Sequence, residues 1–331
     1  MDISVIIPVF NSSTIESCIN SLLNQDFEGT YEIIIVDDGS PDEDLKFFKK
    51  LVNLIRTGNP RVLVIAQQHG GPAKARNLGV RFSKGKDLIF TDSDCVADKS
   101  LLTSLTEKLH SREDVAAVWG KYENLNERNL ISRFVQCWMD YQYQNLKDKV
   151  NVFASHCVAI RKDVFNSVGG FDCSFKDANA EDNDLAYRIT SRGFKILFSR
   201  NSIVYHPHPT SLFKLLRQQF WRAVWRVKLY RKHGSKHLGD TYIQKRTLFV
   251  PIIMGPLFAL LFSLFILNLI TLPSFLVSLF AFFFLVNLNF NRYTERHYKF
   301  KFSFLCFLLR SLVIVSWLFG GVYGMFKFLR D

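Results

Sequence analysis

No two of the six cysteines (Cys18, Cys95, Cys137, Cys157, Cys173, Cys306) form a C-x-x-C pair or a zinc-like spacing. That excludes a zinc ribbon and a dithiol redox site; in a reducing compartment such residues read as packing thiols. Residues 1–8 contain no basic n-region, and their apolar run is too short for a secretory leader. The N-terminal part is therefore expected to begin and stay in the cytosol. There is no internal repeat and no low-complexity linker. No nucleic-acid motif accompanies the formal net charge of +12, so nucleic acid is not an expected partner. The most telling absence is charge: residues 247–291 contain no Asp, Glu, Lys or Arg. One bilayer crossing takes about 20 apolar residues, and this run holds 45.

Phenylalanine, at 32 of 331 residues, is concentrated in this C-terminal part. Residues 247–331 are expected to form a multi-pass membrane region with crossings at 248–270, 273–290 and 303–326. Pro273 marks the turn between the first two. Arg292, Arg296, Lys299 and Lys301 follow the uncharged run, and the positive-inside rule assigns that basic loop to the cytosolic side. The third apolar segment carries one charge, Arg310, which can snorkel or face a neighbouring helix. Just before the membrane region, residues 211–239 hold eight Lys or Arg and no acid. Leu212, Leu216, Phe220, Val224 and Val227 mark one helical face there. The expectation for 211–246 is a basic amphipathic helix lying on an anionic membrane surface. A basic helix packed on the soluble part is the other reading.

The first 120 residues alternate continuous apolar strands with helical patterns. Strands are expected at 3–9, 31–36, 61–66 and 88–91, and helices at about 14–24, 43–56 and 72–83. Further on, 131–145 and 181–192 read as helices, and 152–160, 195–198 and 202–205 as strands. Strands apolar throughout and separated by helices imply a mostly parallel α/β sheet covered on both faces. In such sheets ligands bind beyond the carboxyl ends of the strands. Asn11, Asp37-Asp38 and Asp92-Ser93-Asp94 all fall there.

Each polar cluster has an ordinary explanation when taken alone. Asp37-Asp38-Gly39-Ser40 suits a turn; Glu181, Asp182 and Asp184 suit the positive end of a helix. The chemistry they permit is more specific. A D-x-D at a strand end can hold a hard divalent cation against a diphosphate. A carboxylate such as Asp182 can take a proton from an alcohol. Gly70 and Gly71 can offer helix-terminal N–H groups, and Arg76 a cation, to a phosphate. No Ser or Cys nucleophile with a His partner is evident, so a covalent intermediate has no candidate.

The set in order, residues 4–11, 36–40, 71–79, 91–94, 169–172 and Glu181-Asp182, resembles the family 2 glycosyltransferases of GT-A fold. The resemblance covers residues 1–210 and implies a catalytic domain there, with a nucleotide-sugar half at 1–110 and an acceptor half at 111–210. It implies that Pro8, Phe10, Asp37 and Asp38 cup the nucleotide base, that Arg76 lies near the diphosphate and that Asp92 faces the ribose. Asp94 is implied as the metal ligand proper, with Asp92 and His206 beside it, for Mn²⁺ or Mg²⁺. Asp182 is implied as the general base with Glu181 next to it. The expected donor is a UDP-, GDP- or dTDP-sugar and the expected acceptor a lipid-linked or envelope glycan. A polyprenyl-phosphate acceptor, and a non-catalytic nucleotide-sugar-binding scaffold, are the alternatives. Gln219-Phe220-Trp221-Arg222 is followed by Ala223 instead of the Trp of processive members, which favours transfer of a single sugar.

Overall fold

The computed structural model describes residues 1–41, 50–51, 53, 62–175, 180–234, 256–257 and 259–329. They fall into two units, residues 1–125 with 146–208, and residues 126–145 with 209–331. The last division falls between residues 208 and 209. Residues 126–145, expected inside that domain, group instead with the C-terminal helices.

The first unit is a nine-stranded sheet. Its strands are β1 (Ile3–Val9), β2 (Tyr31–Asp37), β3 (Val62–Ala66), β4 (Asp87–Thr91), β5 (Val96–Ala97), β6 (Val115–Asn124), β7 (Lys149–Val150), β8 (Cys157–Arg161) and β9 (Lys195–His206). The order is β3-β2-β1-β4-β8-β6-β9-β5, with β7 on β9. β1 to β4 are parallel, and β8 runs antiparallel between β4 and β6. Nearly every residue of β1, β2 and β4 is buried, as expected for strands covered on both faces. The period of two divides the core. Ile3, Val5, Ile7, Ile33 and Ile35 face a cluster with α1 (Ile15–Leu23) and α3 (Leu101–Leu109). On the other face α2 (Pro72–Phe82) packs on β1 and β2. Gly79 permits that approach, because a Cβ there would stand 2.6 Å from Ile6.

The elements differ from expectation in two places, and a third expectation falls largely outside the described residues. Most of the helix expected at 43–56 lies outside the described residues. The strands expected at 195–198 and 202–205 are one strand, β9, whose pairing with β6 shifts between Trp119 and Lys121. A bulge absorbs the polar residues between the two apolar runs without ending the strand. The strand expected at 152–160 pairs only from Cys157.

In the second unit α4 (Leu130–Gln144) starts at Asn129, whose side chain accepts from Ile131 and Ser132 N–H, both at 3.0 Å. The basic helix α7 (Leu212–His233) packs along α10 (Phe300–Lys327). A Cβ on Gly320 or Gly324 would lie 2.4 Å from Phe220 O or 2.9 Å from Val224 O, so glycine lets the two backbones close up. The buried residues of α7 are Leu215, Gln219, Val224, Trp225 and Leu229. Leu212 of the expected stripe is exposed instead. Gln219 is drawn inside because Trp317 Nε1 donates to its carboxamide at 3.1 Å.

Between them lie α8 (Leu272–Val286) and α9 (Leu288–His297), bent by 73° at Asn287. Among the described residues α10 alone is long and apolar enough to cross a bilayer by itself, and α8 with α9 passes only as a bent pair. The crossing expected at 273–290 thus ends as a helix at Val286. Of the one expected at 248–270, residues 248–255 and 258 lie outside the described residues. The chain reverses before Pro273, at residues 267–270, where Asn268 takes φ +54°. Pro273 sits in the first turn of α8, where its missing N–H costs nothing.

Candidate active site

The carboxyl ends of the parallel strands carry the polar groups. After β1, Phe10 is half exposed and Asn11 turns the chain with φ +47°, its N–H donating to Ser40 Oγ at 2.9 Å. After β2, Asp37 closes the acidic turn by accepting from Ser40 N–H at 3.2 Å and Ser40 Oγ at 2.6 Å. Gly39 takes φ +75°, and a Cβ there would meet His69 N at 2.8 Å. Asp38 is 3% exposed. Its carboxylate accepts from Gln67 Nε2 at 2.6 Å, Gly70 N–H at 2.9 Å and Gly71 N–H at 2.8 Å. The glycine N–H groups considered above as a phosphate cradle are therefore engaged by Asp38. His69 joins this cluster, with Nδ1 3.1 Å from the Asp38 carboxylate and its ring centroid 4.4 Å from that of Phe10. Sequence reading passed over His69, although it follows β3 at the same sheet edge.

Arg76 is the centre of the second cluster. It is 2% exposed, and its Nη2 donates to Asp92 at 2.8 Å while Nη1 donates to Glu181 at 3.0 Å. Burial pulls the Arg76 pKa down, but Asp92 and Glu181 more than offset this and hold it above its ordinary value. Glu181 opens helix α6 (Glu181–Ser191) and is 2% exposed. Burial and the neighbouring Asp182 raise its pKa to about 7, against the pull of Arg76. Asp182 is half-buried and accepts from Ser155 N–H at 3.4 Å. One arginine thus ties the strand-end Asp92, 16 residues from it, to the helix-end Glu181, 105 residues from it. Asp92 of the D-x-D and Glu181 of the acid pair are thereby brought to one spot.

Asp94 and His206 form the third element, with Oδ2 and Nε2 3.2 Å apart. The Asp94 pKa is lowered; burial opposes this, and the His206 hydrogen bond and charge overcome it. His206 ends β9, and the Tyr122 ring lies between it and His156, at 4.6 Å from the first and stacked at 3.3 Å on the second. Nδ1 of His206 is buried without a hydrogen bond. Among the described residues no group of three or more His, Cys, Asp or Glu is placed to hold a metal. The pair nonetheless suits one edge of an octahedron, since neighbouring ligands at about 2.1 Å stand about 3.0 Å apart. A carboxylate and an imidazole leave the other positions to phosphate oxygens and water, the way a cation is held together with its substrate. The residues fit a divalent ion shared with a diphosphate.

Comparison with known proteins identifies the family. Residues 4–169 match Glycosyl transferase family 2, and residues 88–320 match Glycosyl transferase family group 2. The chain belongs to glycosyltransferase family 2. Glycosyltransferase AglE of Haloferax volcanii is 30% identical over 224 residues, covering 66% of this chain and 70% of that protein. The poly(ribitol-phosphate) beta-N-acetylglucosaminyltransferase TarS of Staphylococcus aureus is 38% identical over 104 residues, 31% of this chain and only 18% of the relative. The fold resembles that of mannosyltransferase PcManGT from Pyrobaculum calidifontis, solved with GDP-Man and Mn²⁺. The TM-score is 0.67, with 97% of this chain and 87% of that one covered at 16% identity. The fold is GT-A.

Proposed function

We propose that the chain is an inverting, metal-dependent glycosyltransferase. It moves a sugar from a nucleotide-sugar donor to a hydroxyl of a membrane-associated acceptor, at the cytosolic face of the cell membrane. The observation that carries this reading is the Asp92–Arg76–Glu181 bridge, which brings the D-x-D and the Glu181-Asp182 pair to one sheet edge. Pro8 and the exposed face of Phe10, backed by His69, take the base. Asp37 and Asp38 hold the two turns that frame it, and Asp92 faces the ribose. Asp94 and His206 hold Mn²⁺ or Mg²⁺, which when bound neutralises the leaving diphosphate.

Asp182 is the less buried acid of its pair, so it is the one able to meet an acceptor. Its carboxylate takes the hydroxyl proton as the acceptor oxygen attacks the anomeric carbon, and the bond to the diphosphate breaks on the opposite face. One such displacement inverts the anomeric configuration. Glu181, fixed by Arg76, holds the start of α6 and with it Asp182. A lipid-linked or envelope-glycan acceptor is supported by the apolar α10 beside the basic α7, and by the poly(ribitol-phosphate) named for the S. aureus relative. The test is to incubate membranes containing the protein with UDP-, GDP- and dTDP-sugars. One donor is expected to release its nucleoside diphosphate only with Mn²⁺ or Mg²⁺ and to label a lipid or glycan. Release undiminished in EDTA would contradict the metal role.

A further inference from the structure

Arg310 lies midway along α10 and is 8% exposed. Among the described residues it makes no hydrogen bond and no ion pair, and its Nε and Nη1 are fully enclosed without an acceptor. Three aromatic rings surround it instead. Its guanidinium carbon stands 4.5 Å from the Phe290 centroid, 5.5 Å from Tyr141 and 5.9 Å from Trp138. Rings orient a planar guanidinium and attract its charge, but they bring no counter-ion and accept none of its in-plane N–H bonds. A buried cation without an acid is costly, and inside a membrane region it marks a functional site by default.

The helices around it set its depth. Apolar α8 ends at Asn287, whose Nδ2 donates to Ser311 Oγ at 3.3 Å, so Ser311 stands level with that end. From there α9 turns away by 73° with Arg292, Glu295 and Arg296 exposed and Phe290, Asn291 and Thr294 buried. Such a helix lies along a bilayer surface. Beyond Ser311, α10 continues to Lys327, roughly 25 Å at 1.5 Å per residue. With α9 on the surface, as the membrane association proposed above implies, Arg310 stands where a bilayer's apolar core gives way to headgroups, the level of lipid phosphates.

We propose that Arg310, caged by Trp138, Tyr141 and Phe290, binds the phosphate group of a membrane lipid. Its guanidinium carries N–H donors that suit a phosphate, and because Nε and Nη1 are enclosed, the ligand has to displace part of the packing around them. The site rests on the membrane association proposed above and is independent of the transfer chemistry. The unpaired carboxamide oxygens of Asn287 and Asn291 supply the rival account, in which enclosed water satisfies Arg310 and no ligand binds.

The test uses the full chain in dodecyl maltoside, titrated with dodecyl phosphate as a minor micelle component. Intrinsic tryptophan fluorescence and the melting temperature are read together. Saturable binding is expected, with inorganic phosphate at the same concentration giving no response. Arg310→Met should weaken binding about tenfold or more, since it removes charge-assisted hydrogen bonds. Arg310→Lys should bind with intermediate affinity. Trp138→Phe should lose the fluorescence response and keep the thermal one, which locates the ligand even if the methionine variant fails to fold. Unchanged affinity in Arg310→Met, or a full fluorescence response in Trp138→Phe, would overturn the site. Equal binding of inorganic phosphate would overturn its assignment to a lipid. Metal-dependent donor turnover is measured in the same samples: its absence everywhere counts against the transferase reading, not against this site.

Discussion

Arg76 and Arg310 are buried to similar depth, yet the chain treats them oppositely. Arg76, in the first unit, lies between Asp92 and Glu181, and its charge is balanced by acids separated from it by 16 and 105 residues. Arg310, in the second unit, has aromatic rings around it and, among the described residues, no acid. A buried pair supplied from within the chain fixes geometry, whereas a buried cation without one waits for an anion from outside. The first arginine belongs to the scaffold of the site, and the second to a place where a ligand completes the structure.

The largest effect that would break this contrast concerns the metal. Asp94→Ala removes the carboxylate proposed to hold the cation and should cost about a thousandfold or more in turnover, since metal stabilisation amounts to several kcal/mol. His206→Ala should weaken Mn²⁺-dependent nucleotide binding, read by titration calorimetry, with less loss of turnover. If Asp94→Ala keeps full activity, the cation site lies elsewhere.

Next comes the stability of the two arginines. Arg76→Met leaves Glu181 buried without its partner and should destabilise the fold by about 3–5 kcal/mol. Arg310→Met should be near neutral or stabilising in the absence of added phosphate lipid, because no acid is left behind. Melting temperatures of the two variants in one detergent decide the matter; equal losses would erase the distinction.

A smaller effect sharpens the description of the Arg76 cluster. Glu181 has a folded pKa raised from 4.5 to about 7, so the folded state holds its proton more tightly than the unfolded chain. Its stabilising contribution is full below about pH 4.5 and is lost as pH rises through about 7. Glu181→Gln should flatten the fall in melting temperature over that window relative to the parent. Identical pH profiles would show that Arg76 keeps Glu181 ionised throughout.

The sheet edge was legible because strands buried on both faces are written as unbroken apolar runs, and their ends place Asp38 and Asp92 without further information. The D-x-D stood out for the same reason, and the acidic helix start as carboxylates clustered at the positive end of a helix. What joins them did not, because a salt bridge spanning 105 residues leaves no local pattern. His69 was missed because one histidine in a polar loop looks like solvent-facing chain. The buried face of α7 was misplaced since Gln219 reads as polar until Trp317 gives it a partner. The end of α8 was invisible because Asn287 breaks the helix direction without bringing a charge. Helix periodicity reports apolar stripes, and these two positions turn on single polar contacts.

The role of Asp182 bears most directly on the central claim. Asp182→Asn preserves shape and removes proton affinity, so the measurement is donor affinity and single-turnover rate in the same preparation. Donor affinity should be unchanged, and turnover should fall by about 10²–10⁴-fold, the usual worth of a general base. A loss of less than about tenfold would contradict the account, and would assign the proton to another group or the acceptor to a phosphate that needs no base.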